Sequence, residues 1–194
     1  LASSGNSFAA DVGKAIAQQL SSLGINLNFA PSLDVNNNPA NPVINARSFG
    51  DNVAAVAQAG GAMLSAMQQA GVLGTIKHFP GHGDTDVDSH YDLPQLKFDK
   101  KRLMELEIFP FKELIQAGAP SVMVAHMNIP ALDATPNIPS SISKKVVTDL
   151  LRNELGFKGL TVTDAMDMKG VKKHFPYGEA DVMAFAAGHV LLEV

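Results

Sequence analysis

The sequence of 194 residues contains no cysteine, which excludes disulfides and thiolate chemistry and leaves either redox compartment open. It also has no block of Lys or Arg. With 15 basic residues against 19 acidic ones the net charge is −4, so the electrostatic footprint of a nucleic-acid or anionic-lipid binder is missing. No apolar run approaches the roughly 20 residues of a membrane-spanning helix, and the opening stretch LASSGNSFAA lacks the basic flank and apolar centre of a signal peptide. Glycines form neither the dinucleotide fingerprint G-x-G-x-x-G nor the phosphate cradle G-x-x-x-x-G-K-[ST] at a strand end. No cofactor is implied. What is present, 46% hydrophobic residues in a chain of this size, suits one globular domain spanning residues 1–194.

Helical and extended patterns alternate along the chain. Phe8, Val12, Ile16, Leu20 and Leu23 recur at helical spacing from Ser7 to Leu23, and Gly24 stands where a C-cap glycine belongs. INLNFAPSLDV alternates as a strand before a long Pro/Asn-rich loop. Asp51 is placed to cap a second helix closed by Gly71, after which VLGTIKHF reads as a short apolar strand. A helix from Asp99 to Ala117 follows, which Pro110 must kink or divide, and then a strand at SVMVAHM. Ser143 starts another helix, with Val146, Val147, Leu150, Leu151 and Leu155 on one face, before the strand KGLTVTDAM. Gly178 to Ala187 reads as helix and HVLLEV as extended. Five short strands, each preceded by a helix, indicate an α/β fold with a parallel sheet covered by helices. Without a nucleotide fingerprint, a (β/α)8 TIM-type barrel is favoured over a doubly wound sheet. Five strands cannot close such a barrel, so a partial barrel lacking its N-terminal strands is expected.

In such architectures chemistry collects at the carboxyl ends of the strands. There the sequence delivers Asp34 and the loop bearing Arg47, then Lys77 and His78, then His126 and Asn128, then Asp164 and Asp167. The second strand opens into KHFPGHGDTDVDSH, residues 77 to 90, with three of the six histidines. A metal site, a solvated loop and a proton-transfer device all remain open for it. Its spacing matches neither H-E-x-x-H nor the calcium loop, so no metal ligand is assigned. As a proton-transfer device, Asp88 can accept from one nitrogen of His90 while the other faces a substrate. Asp164, ending an apolar strand, is positioned as a nucleophile, with Lys77 or Arg47 compensating its charge. Met104, Met123, Met166 and Met168 read as core filler.

At these residues the sequence resembles the family-3 glycoside hydrolases, in their β-N-acetylglucosaminidase branch. KHFPGHGDTDVDSHYDLP is similar to that branch's most diagnostic motif, and NFAPSLDV, NPVINARSFG, VMVAHMNIPALD, LLRNELGFKGLTVTDAMDM and AAGHVLL to its other signatures, in order. The resemblance implies a retaining hydrolase of terminal β-N-acetylglucosamine in cell-wall muropeptides or chitin-type oligosaccharides. It implies Asp164 as nucleophile, His90 as general acid/base with Asp88 as its partner, and Arg47, Lys77 and His78 gripping the sugar, with His126 in the site wall. His189 departs from the family pattern, where an acidic or amide residue is usual. A catalytically inactive sugar-binding module and a metal-dependent hydrolase built on the His/Asp loop are the other readings. Open sheet edges are expected to favour self-association.

Overall fold

The computed structural model describes residues 5–85, 92–176 and 178–194. Asp88 and His90 therefore lie outside the described residues. Four parallel strands, β1 (Leu27–Asn28), β2 (Leu73–Phe79), β3 (Ser121–Val124) and β4 (Leu160–Thr163), pair in chain order. Between successive strands the chain crosses over through helices, the arrangement of a (β/α) barrel, here a part of one. The segment expected as a fifth strand runs alongside β4 but joins it through a single bridge, Leu191 to Val162. Its remaining backbone contacts are spaced unevenly, two amides sharing the Thr161 carbonyl, so no regular ladder forms.

Helix α1 (Asn6–Ser22) lies against α2 (Val53–Gln69). Its buried face is not the large apolar stripe read from the sequence. Ala9, Gly13 and Ala17 are the buried residues, while Phe8 is 47% exposed and Leu23 75%. The reason is steric: a Cβ at Gly13 would stand 2.5 Å from the Met63 carbonyl oxygen, so only small residues permit this approach. Val12, Ile16 and Leu20 flank the contact half-buried. Gly24 does terminate α1, its positive φ allowing the amides of Gly24 and Ile25 to close onto Ser21 and Leu20. Asn52, one residue beyond the expected Asp51, caps α2 by accepting from the Ala55 amide at 2.9 Å.

Pro110 divides the next helical region into α3 (Lys100–Glu105) and α4 (Phe109–Gln116), where it occupies the first turn and forfeits no internal hydrogen bond. A helix with wide, π-type winding spans Lys145–Glu154 and buries Val146, Val147, Leu150 and Leu151. Short α5 (Lys169–Lys172) and α6 (Glu179–Ala187) precede the segment that runs alongside β4. The main core fills the space between helices and sheet, around Ile76, Phe79, Phe111, Val122 and Val124. Among the described residues no helix is long and apolar enough to cross a membrane.

Candidate active site

Past β1 the chain pairs with β2 a second time, through Ser32 and Lys77, the Leu33 amide donating to the Lys77 carbonyl at 2.6 Å. This pairing sets Asp34 beside His78. The Asp34 carboxylate is fully buried and accepts from His78 Nδ1 at 2.7 Å, Ser32 Oγ at 2.6 Å and the His82 amide at 2.7 Å. Burial pushes its pKa up, but the electrostatic pull and hydrogen bond of His78, with the Ser32 bond, hold it well below the usual carboxylate range. Asp34 can only accept, so His78 Nδ1 carries a proton. Arg47, which can only donate, lies 3.2 Å from His78 Nε2, a bond that forms while that nitrogen is unprotonated.

Close approach explains the glycines of the following loop. A Cβ on Gly83 would stand 1.9 Å from the Val35 carbonyl oxygen, and one on Gly81 would stand 2.7 Å from Glu107 Cβ. The Asn41 amide ties the loop to its neighbour: Nδ2 donates to the carbonyls of His82 and Gly83 at 2.8 and 3.0 Å, while Oδ1 accepts from the amides of Val43 and Ile44. His82 Nδ1 lies 2.6 Å from Thr85 Oγ1, whose hydroxyl also donates to the His82 carbonyl at 3.1 Å; burial, then the neighbouring His78, lower the pKa of His82. At the root of the loop Asp84 accepts from Asn37 at 2.9 Å and from Arg102 at 3.3 Å. Arg102 also donates to both carboxylate oxygens of buried Glu107, at 2.6 and 2.7 Å.

These elements surround a cavity of about 250 Å³ at the carboxyl ends of the strands, near the lower limit of small-molecule sites. Its polar lining is Arg47, Lys77, His78, His82, Asp164 and Glu193. Phe29, Val43, Met123, Ala165 and Met168 supply the apolar part, so two of the methionines read as core filler face this space instead. Asp164 follows β4 directly; its amide donates to the Val124 carbonyl at 2.9 Å and its Oδ1 accepts from the Ala165 amide at 3.0 Å. Lys77 faces the carboxylates: burial and the Arg47 charge lower its pKa, while Asp164, Asp34 and Glu193 oppose them. Burial, then Asp164, raise the pKa of Glu193.

Four of the residues expected from sequence, Arg47, Lys77, His78 and Asp164, thus meet in one cavity. His126 is not on its lining; the ring is fully buried, between Ser141 and the Ala165 carbonyl. Asp88 and His90 lie outside the described residues. Glu193 was assigned no role from sequence, although the rule that strand ends carry chemistry applies to HVLLEV as well. Asp34 was legible as a polar residue but not as the group that orients His78. Among the described residues no three His, Asp or Glu groups are arranged to hold a metal ion.

The glycosyl hydrolase family 3 N-terminal domain matches residues 1–192. A β-hexosaminidase A from Pseudoalteromonas piscicida is 46% identical over 95% of this chain and 32% of its own length. A β-hexosaminidase from Chromobacterium violaceum is 37% identical over 93% of this chain and 50% of its own. The family 3 β-N-acetylglucosaminidase structure from Paenibacillus sp. superposes with a TM-score of 0.95 at 45% identity, covering 97% of this chain and 36% of that one. The chain therefore spans a third to a half of the length of the relatives it matches.

Proposed function

The chain belongs to glycoside hydrolase family 3, and on that premise we propose that the full-length protein is a retaining β-N-acetylglucosaminidase acting on terminal, non-reducing N-acetylglucosamine. The observation that carries this reading is the convergence of Asp164, Arg47, Lys77 and His78 on one cavity at the strand ends. The names of the relatives, β-hexosaminidase and β-N-acetylglucosaminidase, support the choice of sugar. Muropeptides and chitin-type oligosaccharides are the substrate classes that present it.

Asp164 attacks the anomeric carbon through an oxocarbenium-like transition state and forms a glycosyl-enzyme intermediate. A backbone tied into β3 and β4 and an Ala165 amide on Oδ1 hold the carboxylate for that attack. His90, oriented by Asp88, protonates the departing oxygen and then takes a proton from the incoming water, as the family resemblance implies. Lys77 and Arg47 donate to sugar hydroxyls while balancing the charge of Asp164 and Glu193. His78 is held by Asp34 and in turn fixes Arg47.

The test is cleavage of an aryl β-N-acetylglucosaminide by the full-length protein, with the anomer of the first product read by NMR. Activity with retained configuration, insensitive to chelator and reduced at least about 10³-fold in Asp164→Ala, is the expected result. Sugar binding without turnover would identify a binding module, and loss of activity on chelation would identify a metal enzyme.

A further inference from the structure

His126, at the end of β3, is fully buried, and the chemistry above gives it no task. An imidazole is costly to bury unless its nitrogens are bonded. Nε2 lies 2.9 Å from the Ala165 carbonyl oxygen and Nδ1 lies 2.6 Å from Ser141 Oγ. The carbonyl only accepts, so Nε2 carries the proton; in the neutral ring Nδ1 then accepts from the Ser141 hydroxyl. Ser141 is itself fully buried, and its carbonyl accepts from His189 Nε2 at 2.8 Å. The residue that departs from the family pattern at position 189 thus braces the serine that sets the state of His126. On the other side, Ala165 follows Asp164 and gives its amide to Asp164 Oδ1 at 3.0 Å. Ala165 is therefore gripped at its carbonyl by His126 and at its amide by the Asp164 carboxylate.

We propose that His126 is a positioning residue for Asp164, acting through Ala165, with the Ser141 hydroxyl fixing the ring in the tautomer that can donate. The inference rests on the reading of Asp164 as nucleophile. A loosened Ala165 lets the carboxylate leave its line of attack, and small misplacements of a reacting group are expensive in rate. Arg47, Lys77 and His78 stand on other segments, so sugar binding is spared.

In the full-length protein, His126→Leu and Ser141→Ala are expected to lower kcat on an aryl β-N-acetylglucosaminide about 10- to 100-fold. KM and the inhibition constant of N-acetylglucosamine should change less than about threefold, because ground-state binding is untouched. His126→Gln, whose side-chain amide can again donate to the Ala165 carbonyl, should recover most of kcat. Should His126→Leu fail to fold, Ser141→Ala and His126→Gln carry the comparison. Unchanged kcat, an equal loss in kcat and in N-acetylglucosamine binding, or a folded Gln variant with kcat reduced as far as in Ser141→Ala would overturn the proposal. Asp164→Ala separates the two levels. If it retains activity, the nucleophile reading fails; if it is inactive while His126→Leu turns over normally, only the positioning role fails.

Discussion

Asp34 never meets solvent, yet four donors, the Ser32 hydroxyl, the His78 ring and the amides of His78 and His82, end on its two oxygens. It acts on the cavity at one remove, since the His78 ring it orients is the acceptor that Arg47 uses. Asp34→Asn preserves the shape but sets an amide donor where the His78 ring and the amides of His78 and His82 now donate. Leaving a buried donor without its acceptor costs about 1–3 kcal/mol, so the substitution is expected to lower unfolding free energy by that amount and to raise KM as Arg47 loses its anchor. Denaturant titration alongside steady-state kinetics checks both, and full stability in the variant would refute the role. Asp34 was visible in the sequence as a polar residue at a strand end. Its partner was not, because the pairing of Ser32 with Lys77 that brings Asp34 to His78 joins segments 45 residues apart.

Elements were more legible than their buried faces. Gly24 and Pro110 act where local chemistry alone decides, at a positive φ and at a missing amide hydrogen, and both ended or divided helices as expected. The face of α1 did not follow its apolar period, because the distance to α2 is a tertiary quantity. A test at Gly13 separates the two influences. By intrinsic propensity, Gly13→Ala in mid-helix should stabilise α1 by about 1 kcal/mol. The added Cβ meets the Met63 backbone at 2.5 Å, and overpacking against a group that cannot rotate away costs about 1–3 kcal/mol. The steric term wins, and a net loss in urea-melt stability is expected; a gain would mean that the helices separate freely.

Taken as a whole, the molecule carries a pH dependence written into its interior. His189 is 5% exposed, and burial pushes its pKa down to about 4 against the opposing hydrogen bond to the Ser141 carbonyl. The unfolded chain binds the proton from about pH 6.5 downward, whereas the folded state resists it until about pH 4. Stability is therefore full above about pH 6.5 and falls as pH drops towards 4, by on the order of 3 kcal/mol. Thermal melts between pH 7 and 4 should show that decline, and His189→Asn should flatten it. An equally steep decline in the variant would assign the acid lability to other groups.

The sequence by itself determined the alternation of helix and strand, the family, and the set of polar groups delivered to one end of the sheet. Those follow from periodicity, turn chemistry and motif, which need only near neighbours along the chain. Tertiary structure alone decided that His126 turns from the cavity towards Ser141 and Ala165, that Glu193 turns into it, and that glycines at 13 and 83 are spaces rather than hinges. Each of those outcomes depends on which backbone atom stands within a few ångströms across the sheet, a distance set only when the helices and strands have packed.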